Sequence, residues 1–254
     1  RGVVAHTPEA IEEWASGLAQ RFPGAQIAVA LEQSRGAVLF ALTKYKYLTL
    51  YPIHPARLAH YRRSFRPSGA KDDPSDADLL LDYISRYRDQ LRPLQADRDD
   101  TRALQFLVEA RRRTVDEKTR VKNRLTSVLK QYFPQVVGWF SDVECAVVLD
   151  LLERWPTLQE LQQIRRSTFD RFLTQHRCGG AENVAQHWRD IKTATAATTD
   201  AVVIRCFSLN AICLVRQLRE LKKSVGTYDQ AIHELTQKHP DFDLFKSFPG
   251  AGDA

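Results

Sequence analysis

The sequence has no methionine, and only four of its 254 residues are cysteine. Cys145, Cys178, Cys206 and Cys213 lie far apart and form no Cys-x-x-Cys pair. That pattern argues against a structural zinc knuckle and a disulfide-stapled secreted scaffold, and a reducing compartment is the simplest setting. Cys206 and Cys213, seven apart in a helical pattern, are expected as buried thiols on one face. No unbroken apolar run of about 18 residues occurs, so no membrane span is expected. No charged segment leads into an apolar one at the start, so no secretory signal is expected either. Internal repeats and low-complexity stretches are absent. The lack of methionine, an opening Arg1-Gly2-Val3-Val4 that reads as the tail of a strand or hairpin, and a close at Phe248–Ala254 inside a turn together suggest a piece of a longer protein.

A local absence is the most informative. Between Glu32 and Asp72 there is no acidic residue, while Arg35, Lys44, Lys46, Arg57, Arg62, Arg63, Arg66 and Lys71 all fall there. A second basic run is Arg111-Arg112-Arg113, followed by Lys118, Arg120, Lys122, Arg124 and Lys130. The net charge is only +6, so the excess is one of distribution. Local cationic excess suits a polyanion, because phosphate contacts dominate nucleic-acid affinity. The second run reads equally well as a solvated helix face.

What is present is ordinary for a globular chain: 43% hydrophobic and 27% charged residues, which excludes wholesale disorder. The fold class expected is α/β plus α. Residues 1–95 alternate helix and strand. Thr7-Pro8-Glu9 reads as a helix start running to about Arg21 and stopped by Pro23-Gly24. Gln26–Leu31 is a short apolar run expected as a buried strand, with Glu32 at its C-terminal end. A helix from about Gly36 to Lys46, a strand at Tyr47–Ile53, a helix over Arg57–Phe65 and another from Asp73 to about Arg88 follow. Strand, helix, strand implies a parallel pairing. Residues 96–240 read as all helical. Leu104, Val108, Val115, Lys122, Leu125, Leu129 and Tyr132 mark one helix of about 55 Å. A second spans about Thr199–Lys238, marked by Leu209, Ile212, Leu218, Leu221, Val225, Ile232 and Leu235. Two such helices predict an antiparallel coiled-coil arm. Residues 241–254 read as the start of a further domain.

The candidate chemistry lies in three acids. A carboxylate at the C-terminal end of a buried strand sits where open α/β sheets place ligands; Glu32 reads equally as a solvated helix entry. Asp73-Pro74-Ser75-Asp76 is close to an ideal helix N-terminus, and capping alone would explain both aspartates. Two carboxylates three residues apart can nevertheless share a hard cation such as Mg²⁺, which takes few protein carboxylates and fills its shell with phosphate and water. Acids spread over a strand end and a helix start suit two-metal phosphoryl transfer. Tyr61 and Phe65, among the arginines, could stack on bases or pack, with packing favoured for Phe65.

These residues resemble the DEDD-type insertion-sequence transposases, the bridge-RNA-guided recombinases. The family's strand-end Glu matches Ala30-Leu31-Glu32-Gln33-Ser34-Arg35-Gly36. Its Asn/His-Pro-x-Arg element is similar to His54-Pro55-Ala56-Arg57, and its Lys-x-Asp-x-x-Asp-Ala motif to Lys71-Asp72-Asp73-Pro74-Ser75-Asp76-Ala77. Its long-helix signature is similar to Asn123-Arg124-Leu125, Leu129 and Phe133-Pro134, and its Pro-Gly-x-Gly to Pro249-Gly250-Ala251-Gly252.

The resemblance implies a RuvC-like, RNase H-type domain over residues 1–95, a coiled-coil region over 96–240 and the start of the C-terminal transposase domain over 241–254. It implies Mg²⁺ (or Mn²⁺) held by Glu32, Asp73 and Asp76 as the second to fourth of four catalytic acids, the first lying before Arg1 and the nucleophilic Ser beyond Ala254. The chain by itself is therefore expected to be inactive. The activity implied is DNA strand cleavage and rejoining in the cytoplasm of a bacterial or archaeal cell, with a guide RNA and a homo-oligomer formed through the coiled coil. Candidate nucleic-acid contacts are Arg57, Arg62, Arg63, Lys71, Arg111, Arg112, Arg113, Lys122 and Arg124. The alternatives are a RuvC-like structure-selective nuclease that only hydrolyses, and a non-catalytic nucleic-acid-binding module.

Overall fold

Helix starts follow their local chemistry. Helix α1 (Pro8–Arg21) has Thr7 as N-cap, whose hydroxyl accepts from the Ala10 amide at 3.3 Å, and proline in its first turn. The chain then turns through Gly24, whose φ of +74° lies in the left-handed region that glycine enters without strain. The structure, a computed structural model, describes residues 2–32, 36–65, 73–95, 97–178 and 181–248, with the backbone alone at 73–75, 181, 183 and 245. It divides into two units, Arg1–Ala96 and Asp97–Ala254.

In the first unit, strand β1 (Ile27–Leu31) pairs in parallel with β2 (Leu48–Pro52), from Ile27↔Leu48 to Leu31↔Pro52. Parallel neighbours need a crossover, and helix α2 (Ala37–Leu42) supplies it. This helix is shorter than the expected Gly36–Lys46. The Thr43 hydroxyl bonds back to the Phe40 carbonyl, and Lys44 and Tyr45 are drawn away to Glu12, at 2.8 and 2.5 Å. Ile11, Leu39, Leu42, Leu48 and Leu50 form the core. Strand β1 is less buried than expected: Ala28 is exposed and its other residues are only partly covered. Val29 and Leu31 line an open apolar recess of about 200 Å³ with Val4, Trp14 and Val38, so among the described residues that side of the strand is not closed. Helices α3 (Pro55–Phe65) and α4 (Asp73–Tyr87) follow; α4 packs on both β1 and α3. A 3-10 turn, Arg88–Gln90, leads out of α4.

The second unit is helical. Helix α5 (Asp99–Tyr132) is followed by α6 (Gln135–Trp139), α7 (Ala146–Arg154), α8 (Leu158–Gln163), α9 (Arg166–Gln175), α10 (Ala181–Thr193), α11 (Ala201–Gln237) and α12 (Phe242–Lys246). The chain as a whole is thus mostly helical with a small two-stranded parallel sheet. Helices α5 and α11 pack along each other. Thr101 meets His239 at 3.1 Å, and Arg111 pairs with Asp229. Ten residues forward on one helix match ten back on the other, so the two are antiparallel. The hydrophobic core gathers Leu125 and Leu129 of α5, Phe133, Leu151 and Leu152 of α7, Phe169 and Phe172 of α9, and Leu214 and Leu218 of α11.

Helical phase corrects three expectations. Leu209 and Val108, expected on the packed sides, are 62% and 50% exposed. Cys206 and Cys213 are exposed thiols, not buried ones. On α11 the core face is Ala211, Leu214, Val215 and Leu218; at about 100° per residue, Leu209 and the two cysteines point to the far side. This apolarity also makes α11 long and apolar enough, by length and composition, to cross a membrane, although no unbroken apolar run exists and part of the helix lies in the core.

Two leucines test this phase. Leu129→Ala, at a fully buried site, is expected to cost about 2–5 kcal/mol in urea denaturation. Leu209→Ala should stay within about 0.5 kcal/mol. Equal losses would contradict the assignment of faces.

Candidate metal centre and nucleic-acid interface

Glu32 follows the last residue of β1 and is partly buried. Asp76 lies in the first turn of α4, the helix that packs on β1, and is only 5% exposed. A carboxylate that deep requires a counter-charge, because desolvation of a lone ion costs several kcal/mol, roughly. Arg62 of α3 supplies it. Its Nε donates to Asp76 Oδ1 at 2.9 Å, and its Nη2 lies 2.7 Å from the same oxygen. Arg62 is itself 8% exposed. Asp76 Oδ2 is buried and has no hydrogen-bond partner among the described residues.

Asp73 is the first residue of α4, but its side chain, like all of Lys71, lies outside the described residues. Among those residues no three His, Cys, Asp or Glu side chains gather as a metal set. The donors that are described still fit a hard divalent cation: a strand-end carboxylate, and a buried carboxylate with one oxygen unused, both of the oxygen type that Mg²⁺ prefers.

The cations fall into two groups. On α3, Arg57 and Arg63 are exposed and carry no ion pair among the described residues. Arg62, expected among the phosphate contacts, is turned inward by Asp76. On α5 the charges are largely answered. Arg112 pairs with Glu109 at 2.9 Å and Asp116 at 3.0 Å, Arg113 with Glu109 at 2.9 Å, and Arg111 with Asp229. The hydrogen bonds from Arg112 and Arg113 pull Glu109 down to about 2, so it remains a carboxylate at neutral pH. Lys122 pairs with Asp142 at 3.0 Å. Arg124 is exposed with no ion pair among the described residues.

Tyr61 packs rather than presenting a free face. Its ring meets Phe65, Tyr83 and Tyr87 at 5.0, 4.9 and 5.9 Å, and its hydroxyl donates to Asp82, which pushes the phenol up to about 12. Phe65 packs edge-on against Tyr61, in line with the expected preference, while remaining 54% exposed.

A family model described as "Transposase", for IS110-type DEDD transposases, matches residues 1–134. The chain belongs to the DEDD transposase family. It is 26% identical over 231 residues to the "Mini-circle putative transposase for IS117" of Streptomyces coelicolor, covering 89% of this chain and 56% of that protein. It is 24% identical over 254 residues to the "Insertion element IS900 uncharacterized 42 kDa protein" of Mycobacterium paratuberculosis, covering 98% and 62%. The chain therefore spans little more than half the length of these relatives.

The partner of Asp76 was not legible in the sequence. Arg62 stands 14 residues away on another helix, and no spacing rule links the two. The interleaved acids of α5 were visible as Glu109 and Asp116, three and four residues from Arg112, the spacing of helix-surface ion pairs. Asp229 was not, since it comes from α11.

The pairing ranks the cations. In DNA-binding titrations against salt, Arg57→Ala and Arg63→Ala should each weaken binding and lower the log–log salt slope by about 1. Arg112→Ala should do less, and Glu109→Gln should tighten binding. A larger loss from Arg112→Ala than from Arg57→Ala would contradict this ranking.

Proposed function

We propose that the protein containing this chain is an insertion-sequence recombinase. It would cut and rejoin DNA strands with Mg²⁺ or Mn²⁺ and a guide RNA, in the cytoplasm of a bacterial or archaeal cell, with residues 1–95 acting as a RuvC-like domain. The observation that carries the reading is Asp76: a buried carboxylate with one unused oxygen, on a helix packed against the strand that ends at Glu32. Burying such an oxygen is costly unless something completes it, and a divalent cation does so.

Glu32, Asp73 and Asp76 would hold the ions. When bound, they would stabilise the attacking and leaving oxygens of a phosphodiester displacement. The chain's own part is to fix the acids on a strand end and a helix start, and to hold the backbone phosphates. Arg57 and Arg63, with Lys71, would be the principal phosphate contacts, and Arg111, Arg112, Arg113, Lys122 and Arg124 an outer set that must first give up acidic partners or lies further along α5. The antiparallel α5–α11 pair would serve as the coiled-coil arm, and exposed Val202 and Leu209 on α11 support its use in self-association. Residues 241–254 would open the C-terminal transposase domain.

A second reading has its own observation. The Arg62–Asp76 pair also ties α4 to α3, which a non-catalytic nucleic-acid-binding module would need as well. Asp73→Asn separates the two, since Asn serves a helix start nearly as well as Asp but lacks the charge a cation needs. In the full-length protein this variant should abolish recombination between plasmid-borne sites with its circular dichroism unchanged. Recombination at the wild-type level would sink the catalytic assignment.

A further inference from the structure

Resting on the reading of Asp76 as a metal ligand, we infer that Arg62 is a built-in counter-cation for that site: it neutralises Asp76 when no ion is bound, confines the ion to a single carboxylate oxygen, and weakens the ion's hold. Three observations carry this. Both Arg62 donors, Nε and Nη2, converge on Oδ1 rather than sharing the fork across the two oxygens, and Oδ2 has no hydrogen-bond partner among the described residues. The usual arginine–carboxylate pair is bidentate, one donor to each oxygen; here the second oxygen is left over. Both side chains are about nine-tenths buried, so water offers little screening and neither charge is tolerable alone. Arg62 also reaches the carboxylate from α3, a different helix from the one that carries Asp73 and Asp76.

The consequence is thermodynamic. With Arg62 present, Asp76 already has its counter-charge in the ion-free protein, and an arriving divalent cation meets a fixed positive charge across one carboxylate. With Arg62 removed, the ion becomes the only counter-charge for a buried anion. Arg62 is thus a positioning residue that acts through Asp76. It spends ion affinity to keep the empty site folded and its ligand oriented, so that the ion binds best when a phosphate adds its own negative charge.

The test is Mn²⁺ binding, followed by calorimetry and by the Mn²⁺ electron paramagnetic resonance signal, with thermal melts in parallel, on the full-length protein without DNA. Arg62→Gln should bind Mn²⁺ more tightly by roughly tenfold or more, the scale on which a like charge within about 4–6 Å shifts a neighbouring equilibrium. Its melting temperature without ion should fall, and excess Mn²⁺ should restore it. Arg62→Lys, which keeps the charge but not the fork, should lie between the two. Arg62→Gln combined with Asp76→Asn should melt above Arg62→Gln alone and show no response to Mn²⁺. Unchanged or weaker Mn²⁺ binding in Arg62→Gln, with binding lost in Asp76→Asn, would overturn the inference and leave the metal site standing. Wild-type Mn²⁺ binding in Asp76→Asn would overturn the metal-site reading beneath it. If Arg62→Gln does not fold without ion, failure of Mn²⁺ to refold it would likewise overturn the inference.

Discussion

A carboxylate held out of water at the first turn of a helix constrains everything near it. Asp76 meets its counter-charge in Arg62, which reaches it from the neighbouring helix, and that contact joins those of Tyr61 with Asp82, Tyr83 and Tyr87 in tying α3 to α4. Because both arginine donors settle on one oxygen, the pair satisfies the charge without using up the carboxylate. The first unit follows from this arrangement. A short parallel β1–β2 pair carries Glu32 to its end, α4 packs across that strand, and the remaining oxygen of Asp76 has no hydrogen-bond partner among the described residues. A motif that starts a helix and the motif proposed to hold a cation are here the same few residues, and the buried pair is compatible with both uses.

The helical unit shows the same economy of charge on a larger scale. The long α5 helix is rich in arginine and lysine, yet Asp99, Glu109, Asp116, Glu117, Asp142, Glu144 and Asp229 answer seven of its nine cations, some within the helix and some from elsewhere in the unit. Exposed ion pairs of this kind contribute little to stability, typically about 0–1 kcal/mol. They do lower the positive potential the surface offers to a phosphate backbone. Arg57 and Arg63 on α3 have no such partner among the described residues. A basic run in sequence is therefore not a basic surface until its partners are known, and the short acid-free α3 is a better candidate for gripping nucleic acid than the more conspicuous Arg111–Arg113 cluster.

Much of the architecture was legible because it depends on local rules. Thr7-Pro8 starts α1 through cap chemistry within three residues. The long periodicity of α5 and α11 averages over many turns, and the strand–helix–strand alternation implies parallel pairing. What was not legible depends on neighbours far away in sequence. The depth of β1 is set by what covers its other side. The face of α11 that packs inward is set by its partners, and because a 3.5-residue repeat drifts against a 3.6-residue helix, a 3.5-residue stripe places Leu209, Cys206 and Cys213 on the wrong side. For the candidate site, the choice of acids rests on motif and order, whereas the Arg62–Asp76 pair emerges only from the fold.

The central claim is that the unused oxygen of Asp76 is a ligand position for a divalent cation beside Glu32. Anomalous diffraction from crystals of the full-length protein grown with Mn²⁺ examines it most directly. The account predicts an anomalous peak at ligand distance, about 2 Å, from Asp76 Oδ2 and near the Glu32 carboxylate, with Arg62 still bound to Oδ1. Ordered Mn²⁺ elsewhere, with Oδ2 instead hydrogen-bonded to a protein group, would contradict it.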